Sequence, residues 1–174
     1  RPPDAEGLAY WTGQIASGVP RQVVLLSFLF SGEFTGYTQT LFGTMVTRPE
    51  KAVVVDFYRG FLARLPDSPG LQFWSARFQA AMCDSPAAVA AEADAISQAF
   101  LDSAEYAARG RTNQEFVSDL YNGFMRRGAD LAGVQFWQGQ LDSSALTREQ
   151  LRRVFLGSGE FRARVDALAA RGCT

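Results

Sequence analysis

Apolar residues recur along this chain at intervals of three and four. Leu8, Trp11 and Ile15 form one series, Leu71, Trp74 and Phe78 a second, and Val134, Trp137 and Leu141 a third. That interval places the members of each series on one stripe of an α-helix, with polar residues on the opposite face. Phe116, Leu120 and Phe124 make another stripe, as do Phe161, Val165 and Leu168. Two apolar runs, 22–30 and 52–57, are ambiguous on pattern alone, because β-branched residues crowd them and a strand would serve as well.

Internal repetition settles the ambiguity. Three segments align on Arg1, Asp4, Gly7 and Trp11, on Arg64, Asp67, Gly70 and Trp74, and on Arg127, Asp130, Gly133 and Trp137, each set 63 residues from the next. A second signature follows each: Phe28-Leu29, Ser31, Glu33 and Phe34; Phe100-Leu101, Ser103, Glu105 and Tyr106; Phe155-Leu156, Ser158, Glu160 and Phe161. The step from Trp to the leading Phe is 17, 26 and 18 residues, so the middle copy carries extra residues, placed here near 80–88. A third signature precedes the first. Phe57-Tyr58, Gly60 and Phe61-Leu62 match Leu120-Tyr121, Gly123 and Phe124-Met125. In the third copy of the first ambiguous run, Leu151, Val154 and Phe155 share one helical face and Arg152 and Arg153 take the other. Copies of one unit share a fold, so all the runs are read as helices.

The predicted architecture is all-α: tandem repeats of about four helices each, packed as helical hairpins. The predicted boundaries are 1–46 for a truncated first repeat, 47–111 for the second and 112–174 for the third. Arg1 falls after the leading helix of its repeat. Either the boundary has no structural meaning, or a preceding segment, with an export signal further upstream, completes the first core.

Punctuation agrees with helices. Asp4, Asp67 and Asp130 each stand just before an apolar series, as N-caps do. Thr47 to Glu50, Thr112 to Glu115 and Thr147 to Gln150 have the form of capping boxes. Ser85-Pro86 reads as a cap followed by proline in the first turn, and Ser31, Ser103 and Ser158 read as caps of each repeat's last helix.

Composition narrows the chemistry. Hydrophobic residues make up 47% of the 174 residues and aromatic residues 13%, enough for a substantial core. With 17 basic and 18 acidic side chains, the chain lacks the concentrated basic face that nucleic acid requires. It has no histidine, which removes the commonest general base and metal ligand and excludes Ser–His–Asp and Cys–His arrangements. No apolar run approaches the roughly 18 residues of a transmembrane helix. Two cysteines, Cys83 and Cys173, fit no zinc pattern. They either form a disulfide, which would place the chain in an oxidising compartment, or remain two unrelated thiols, or Cys173 links to another molecule.

Each signature residue has a chemical and an architectural reading. The Arg/Asp pairs could bind an acidic or sugar ligand; we read them as clamps in which the two charges hold a turn between helices. The glycine at Asp+3 allows close approach, by a ligand or by another helix or the arginine, and the second is preferred. The tryptophans are read as core anchors, while their neighbours Tyr10, Phe73 and Phe136 are candidate ligand-facing aromatics. Glu33, Glu105 and Glu160 supply the carboxylates a glycosidase would need, yet each looks like a cap-adjacent acid. The Asp-x-x-Gly spacing lacks the alternating oxygens of a calcium loop, and Asp84, Asp102 and Asp142 add none, so no metal and no cofactor are expected.

The combined pattern, Leu-Tyr, then Arg-x-Pro-Asp-x-x-Gly-Leu-x-x-Trp, then Phe-Leu-x-Ser-x-Glu-Phe, resembles a bacterial family of domains of unknown function. Ala129 departs from it where proline is usual. The resemblance implies a helical, non-catalytic module of secreted and cell-surface proteins, often beside haemolysin-type calcium-binding repeats, and a distant likeness to phycobilisome linker domains. The expected role is a structural or protein-interaction module whose partners are other subunits or domains of a surface assembly. The alternative is a carbohydrate-binding or adhesin module.

Overall fold

The computed structural model describes residues 4–29, 31–42 and 49–173. Among them every regular element is helical. In chain order these are α1 (Ala5–Ala16), α2 (Arg21–Leu29), α3 (Gly32–Phe42), α4 (Pro49–Leu62), α5 (Ser68–Met82), α6 (Pro86–Leu101), α7 (Ala104–Ala108), α8 (Asn113–Leu120), α9 (Leu131–Asp142), α10 (Arg148–Leu156) and α11 (Gly159–Ala169). A π-helical turn, Tyr121–Met125, continues α8.

The predicted caps account for the helix starts. Backbone N–H groups of Gly7, Gly70 and Gly133 donate to the carboxylates of Asp4, Asp67 and Asp130 at 2.7, 3.0 and 2.7 Å. Thr112 with Glu115, and Thr147 with Gln150, close reciprocal capping boxes. Ser85 caps α6, and Ser31, Ser103 and Ser158 cap α3, α7 and α11. The box expected at Thr47 and the whole of Arg1 lie outside the described residues. Both α4 and the α8–π helix end on a residue in the left-handed region, Ala63 at φ 53° and Arg126 at φ 54°.

The core lies where α4 crosses the π turn. A carbon added to Gly60 would lie 2.5 Å from the backbone nitrogen of Gly123, and one added to Gly123 would lie 3.0 Å from the Phe61 ring. Gly60 admits no β-carbon without shifting the Gly123 backbone, so the two helices touch backbone to backbone there. Around the crossing pack Phe57, Phe61, Phe124, Phe100 and Phe161, all buried, with ring centres 4.9–6.4 Å apart where they neighbour one another. Val89, Ala93 and Ile96 of α6 close the core from one side.

The stretch α1–α3 stands apart energetically. No residue of α1 is buried. Val19 and Val24 make a separate small apolar cluster with Trp11 and Leu131, and Gln114 donates to the Gly18 carbonyl at 2.6 Å.

The extra residues of the second repeat lengthen its helices: α5 and α6 have 15 and 16 residues against 12 and 9 in α9 and α10, and only 83–85 separate them. Continued helix keeps the added backbone hydrogen-bonded internally, which a long loop would not. On α10, against the pattern-based expectation, Arg152 is buried with Leu151 and Phe155, whereas Val154 is exposed. Arg152 tolerates burial because its guanidinium meets Glu149, Asp94 and the Ser97 hydroxyl, at 2.8, 2.6 and 2.7 Å.

Candidate functional site

The signature residues converge on one cluster, built twice. On the leading helices, Tyr58 of α4 and Tyr121 of the π turn point their hydroxyls at the glycines that open α5 and α9. A carbon added to Gly70 would collide with the Tyr58 hydroxyl, and one added to Gly133 would lie 2.6 Å from that of Tyr121. The glycine is therefore a seat for a tyrosine. Arg64 and Arg127 lie over the same rings, with guanidinium carbons 4.9 and 5.2 Å from the ring centres.

Sequence pattern paired each arginine with the aspartate three residues on, as a turn clamp. The structure corrects this. Arg64 forms a two-pronged pair with Glu105 of α7, at 2.5 and 2.9 Å, and Arg127 reaches Glu160 of α11 at 3.2 Å. The aspartates are occupied by backbone N–H groups, and the glutamates sit at helix starts that packing brings alongside. The hydrogen bond from Arg64 holds the Glu105 carboxyl below its usual range, and Glu160 raises Arg127. Both pairs are nearly half exposed, so each contributes little stability. Glu105 and Glu160, two of the carboxylates that the glycosidase reading offered, are each engaged by an arginine.

Four residues beyond these glutamates, Arg109 and Arg164 donate to the carbonyls of Phe61 and Phe124, at the otherwise open ends of the leading helices. The reading of the sequence missed both, though they share the offset from Glu105 and Glu160. It also missed Asp56 and Asp119, two residues before each tyrosine and themselves 63 apart. Asp119 takes a fork from Arg111 at 2.7 and 2.8 Å and a hydrogen bond from the Tyr106 hydroxyl at 3.0 Å. Burial and Asp119 push that hydroxyl far above its ordinary range, which keeps it a donor. Asp56 is buried against Arg164 and Arg126; burial pushes its carboxyl up and the arginines pull it back.

The tryptophans lie half-buried, each against the leading Phe of the next signature: Trp11 on Phe28, Trp74 on Phe100 and Trp137 on Phe155, with ring centres 5.0, 5.6 and 6.0 Å apart. Tyr10, Phe73 and Phe136 are each more than half exposed and stand edge-on to their tryptophans at 5.0, 4.8 and 4.8 Å. Cys83 and Cys173 are joined in a disulfide across a sequence separation of 90.

One cleft of about 430 Å³ opens between α6, α8 and α10, lined by Gln98, Tyr106, Arg111, Phe116, Arg148 and Glu149 among others. Its charged groups are engaged. Arg148 bonds Asn113 and the Arg111 carbonyl, and Glu149 is held low chiefly by Arg152. Among the described residues no group of three or more acidic or cysteine side chains could hold a metal ion.

The family described as a domain of unknown function (DUF4214) matches residues 1–38 and 97–165, more than half of the chain. The chain belongs to that family. The matched DUF4214 segments contain α1, α2, most of α3, and the stretch from the end of α6 into α11. No curated protein and no solved structure matches. Among the described residues no helix is long and apolar enough to cross a membrane.

Proposed function

We propose that the chain is a non-catalytic structural or protein-interaction module of a bacterial secreted or cell-surface protein. The observation that carries this reading is the use made of the signature residues. Tyrosine, glycine, arginine and glutamate of each cluster satisfy one another, and the aspartates cap helices, so the chemistry-bearing side chains are spent on holding helices together. On this reading the chain comprises tandem repeats over 1–46, 47–111 and 112–174, the unit being a leading helix, a tryptophan helix, a third and a short last helix. The matching contacts around Tyr58 and Tyr121 support that division. The Cys83–Cys173 disulfide supports an oxidising, extracellular setting. The expected neighbourhood is that of the family's secreted members beside calcium-binding repeats.

The test is a hydrolase panel on the purified chain. No turnover is expected; turnover that Glu105→Gln or Glu160→Gln abolishes would overturn the proposal. A second reading, a carbohydrate-binding module, is favoured by the equal exposure of Tyr10, Phe73 and Phe136. It predicts glycan-array binding that Tyr10→Ala or Phe73→Ala removes while helicity is unchanged, and a clean negative array retires it.

A further inference from the structure

The cleft between α6, α8 and α10 carries two opposite charges that have only neutral partners. Its charged side chains are Asp102, Arg111, Arg148 and Glu149. Two of them are matched within the protein. Arg111 meets Asp119 at 2.7 Å and Glu115 at 3.2 Å, and Glu149 meets Arg152 at 2.8 Å and Arg153 at 2.6 Å. The other two are held by uncharged groups. Asp102 accepts from the Gln98 amide at 2.8 Å. Arg148 donates to the Asn113 side-chain oxygen at 3.0 Å and to the Arg111 carbonyl at 2.7 Å, and lies 5.0 Å over the Phe116 ring. Among the described residues, no ion pair reaches Asp102 or Arg148.

Each of the two also stands at the helix end that disfavours it. Asp102 is the C-cap of α6, beside the negative end of a 16-residue helix. Arg148 is the first residue of α10, at its positive end. The helix would gain from the reverse arrangement, so neither charge is placed for stability. A local rule broken in this way marks a side chain that serves something other than the fold. Repetition adds a second argument. The places that match Asp102 hold Phe30 in the first repeat and Gly157 in the third, so the unit itself does not require an acid there.

The two charges select against a simple ion. An anion drawn to Arg148 meets Asp102, and a cation drawn to Asp102 meets Arg148. A molecule carrying both charges satisfies both walls, and the helix ends assist it, since the end of α6 favours an ammonium and the start of α10 a carboxylate. The cleft gives a sugar no ring to stack on. Phe116 and Tyr106 are buried, the Phe116 face carries Arg148, and the Tyr106 hydroxyl donates to Asp119. A volume of about 430 Å³ falls in the range of small-molecule sites, and Leu101 and Ala107 line it beside the charged groups. We propose that this cleft binds a zwitterion, a free amino acid or short peptide, with its ammonium on Asp102 and its carboxylate on Arg148. Gln98 and Asn113 are positioning residues that hold the two charged side chains.

The test titrates the full chain, isotopically labelled, with L-leucine and with leucyl-leucine, whose charges lie further apart. Saturable shifts are expected at the Asp102, Gly110 and Arg148 amides, and the tighter probe tells free amino acid from peptide. The N-acetylated and the amidated forms of that probe each lack one charge. Each should bind at least about tenfold more weakly, the scale of one charge-assisted contact. Asp102→Asn keeps an acceptor for Gln98 and should weaken the zwitterion to a similar degree, while leaving the N-acetylated form unchanged. Arg148→Gln should act likewise on the carboxylate end. If it loosens α10, seen as a lower unfolding midpoint, Asp102→Asn and the blocked probes decide alone. Absence of saturable shifts with both probes up to their solubility limits, equal binding of the blocked forms, or binding untouched by Asp102→Asn would each overturn the proposal. So would saturable shifts at the same amides with maltose that Asp102→Asn leaves in place, which would make the cleft a sugar site.

Discussion

At the scale of single residues, three glycines of one helical protein have three different tolerances. Gly60 abuts backbone, which cannot move aside. Gly60→Ala should therefore destabilise by about 2–3 kcal/mol in chemical unfolding, the range for overpacking a tight core. Gly70 abuts a hydroxyl, so Gly70→Ala should cost about 1–3 kcal/mol, and Tyr58→Phe in the same chain should recover part of it. Gly7→Ala should be close to neutral, since the nearest atoms belong to the Asp4 side chain, which can give way. Equal losses at Gly7 and Gly70 would contradict the seat assignment. Ala63 offers the opposite case: in the left-handed region a β-carbon is a burden, so Ala63→Gly should stabilise by roughly 0.5–1 kcal/mol. The aligned glycines were legible as sites of close approach, but their partner was not. A hydroxyl nine residues upstream of the aspartate becomes visible only when two helices are laid side by side. The arginines were misassigned for the same reason, since spacing along a chain favours the nearby Asp67 over the distant Glu105.

At the scale of elements, caps were the most readable feature, because a cap is a local hydrogen bond between residues three apart. Their chemistry yields a pH prediction. Glu115 in the α8 box is held below its ordinary range, chiefly by the Thr112 backbone N–H. An acid depressed in the folded state adds stability above its unfolded value and loses it as pH falls through the folded one. The stability of α8 should thus decline below about pH 4.5, the ordinary value for a glutamate. The α10 box uses Gln150, which does not titrate, so Glu115→Gln should preserve the box while flattening this part of the acid profile. An unchanged acid limb by circular dichroism would contradict the assignment. The buried aspartates were not read, although their 63-residue spacing was present in the sequence. Aspartate looks like surface until its partners are known, and those of Asp119 come from 106 and 111, on other elements. Asp119→Asn should cost about 3 kcal/mol, because the largely buried Arg111 loses its two-pronged partner and keeps only Glu115 at 3.2 Å.

At the scale of the whole molecule, the helical class followed from periodicity and repetition, whereas the division of labour between segments did not. Nothing in the sequence distinguishes the apolar stripe of α1 from that of α9, yet no residue of α1 is buried whereas Val134 and Leu141 of α9 are. Hydrogen exchange should accordingly show α1–α3 opening at lower free energy than α4–α11, and a chain of residues 49–174 should unfold within a few degrees of the full chain. A large drop in its midpoint would show that α1–α3 carry part of the core. Joining Cys83 to Cys173 closes a long loop, so reduction should cost up to about 4 kcal/mol on the chain-entropy account, read as a fall in denaturant midpoint. The same covalent tie has a mechanical consequence. A pull arriving at Cys173 passes straight through sulfur to Cys83, and the intervening stretch carries none of the load. Under oxidising conditions a tethered molecule would lengthen only by what lies outside the tie, whereas under reducing conditions the 90-residue span would be free to pay out roughly 300 Å more.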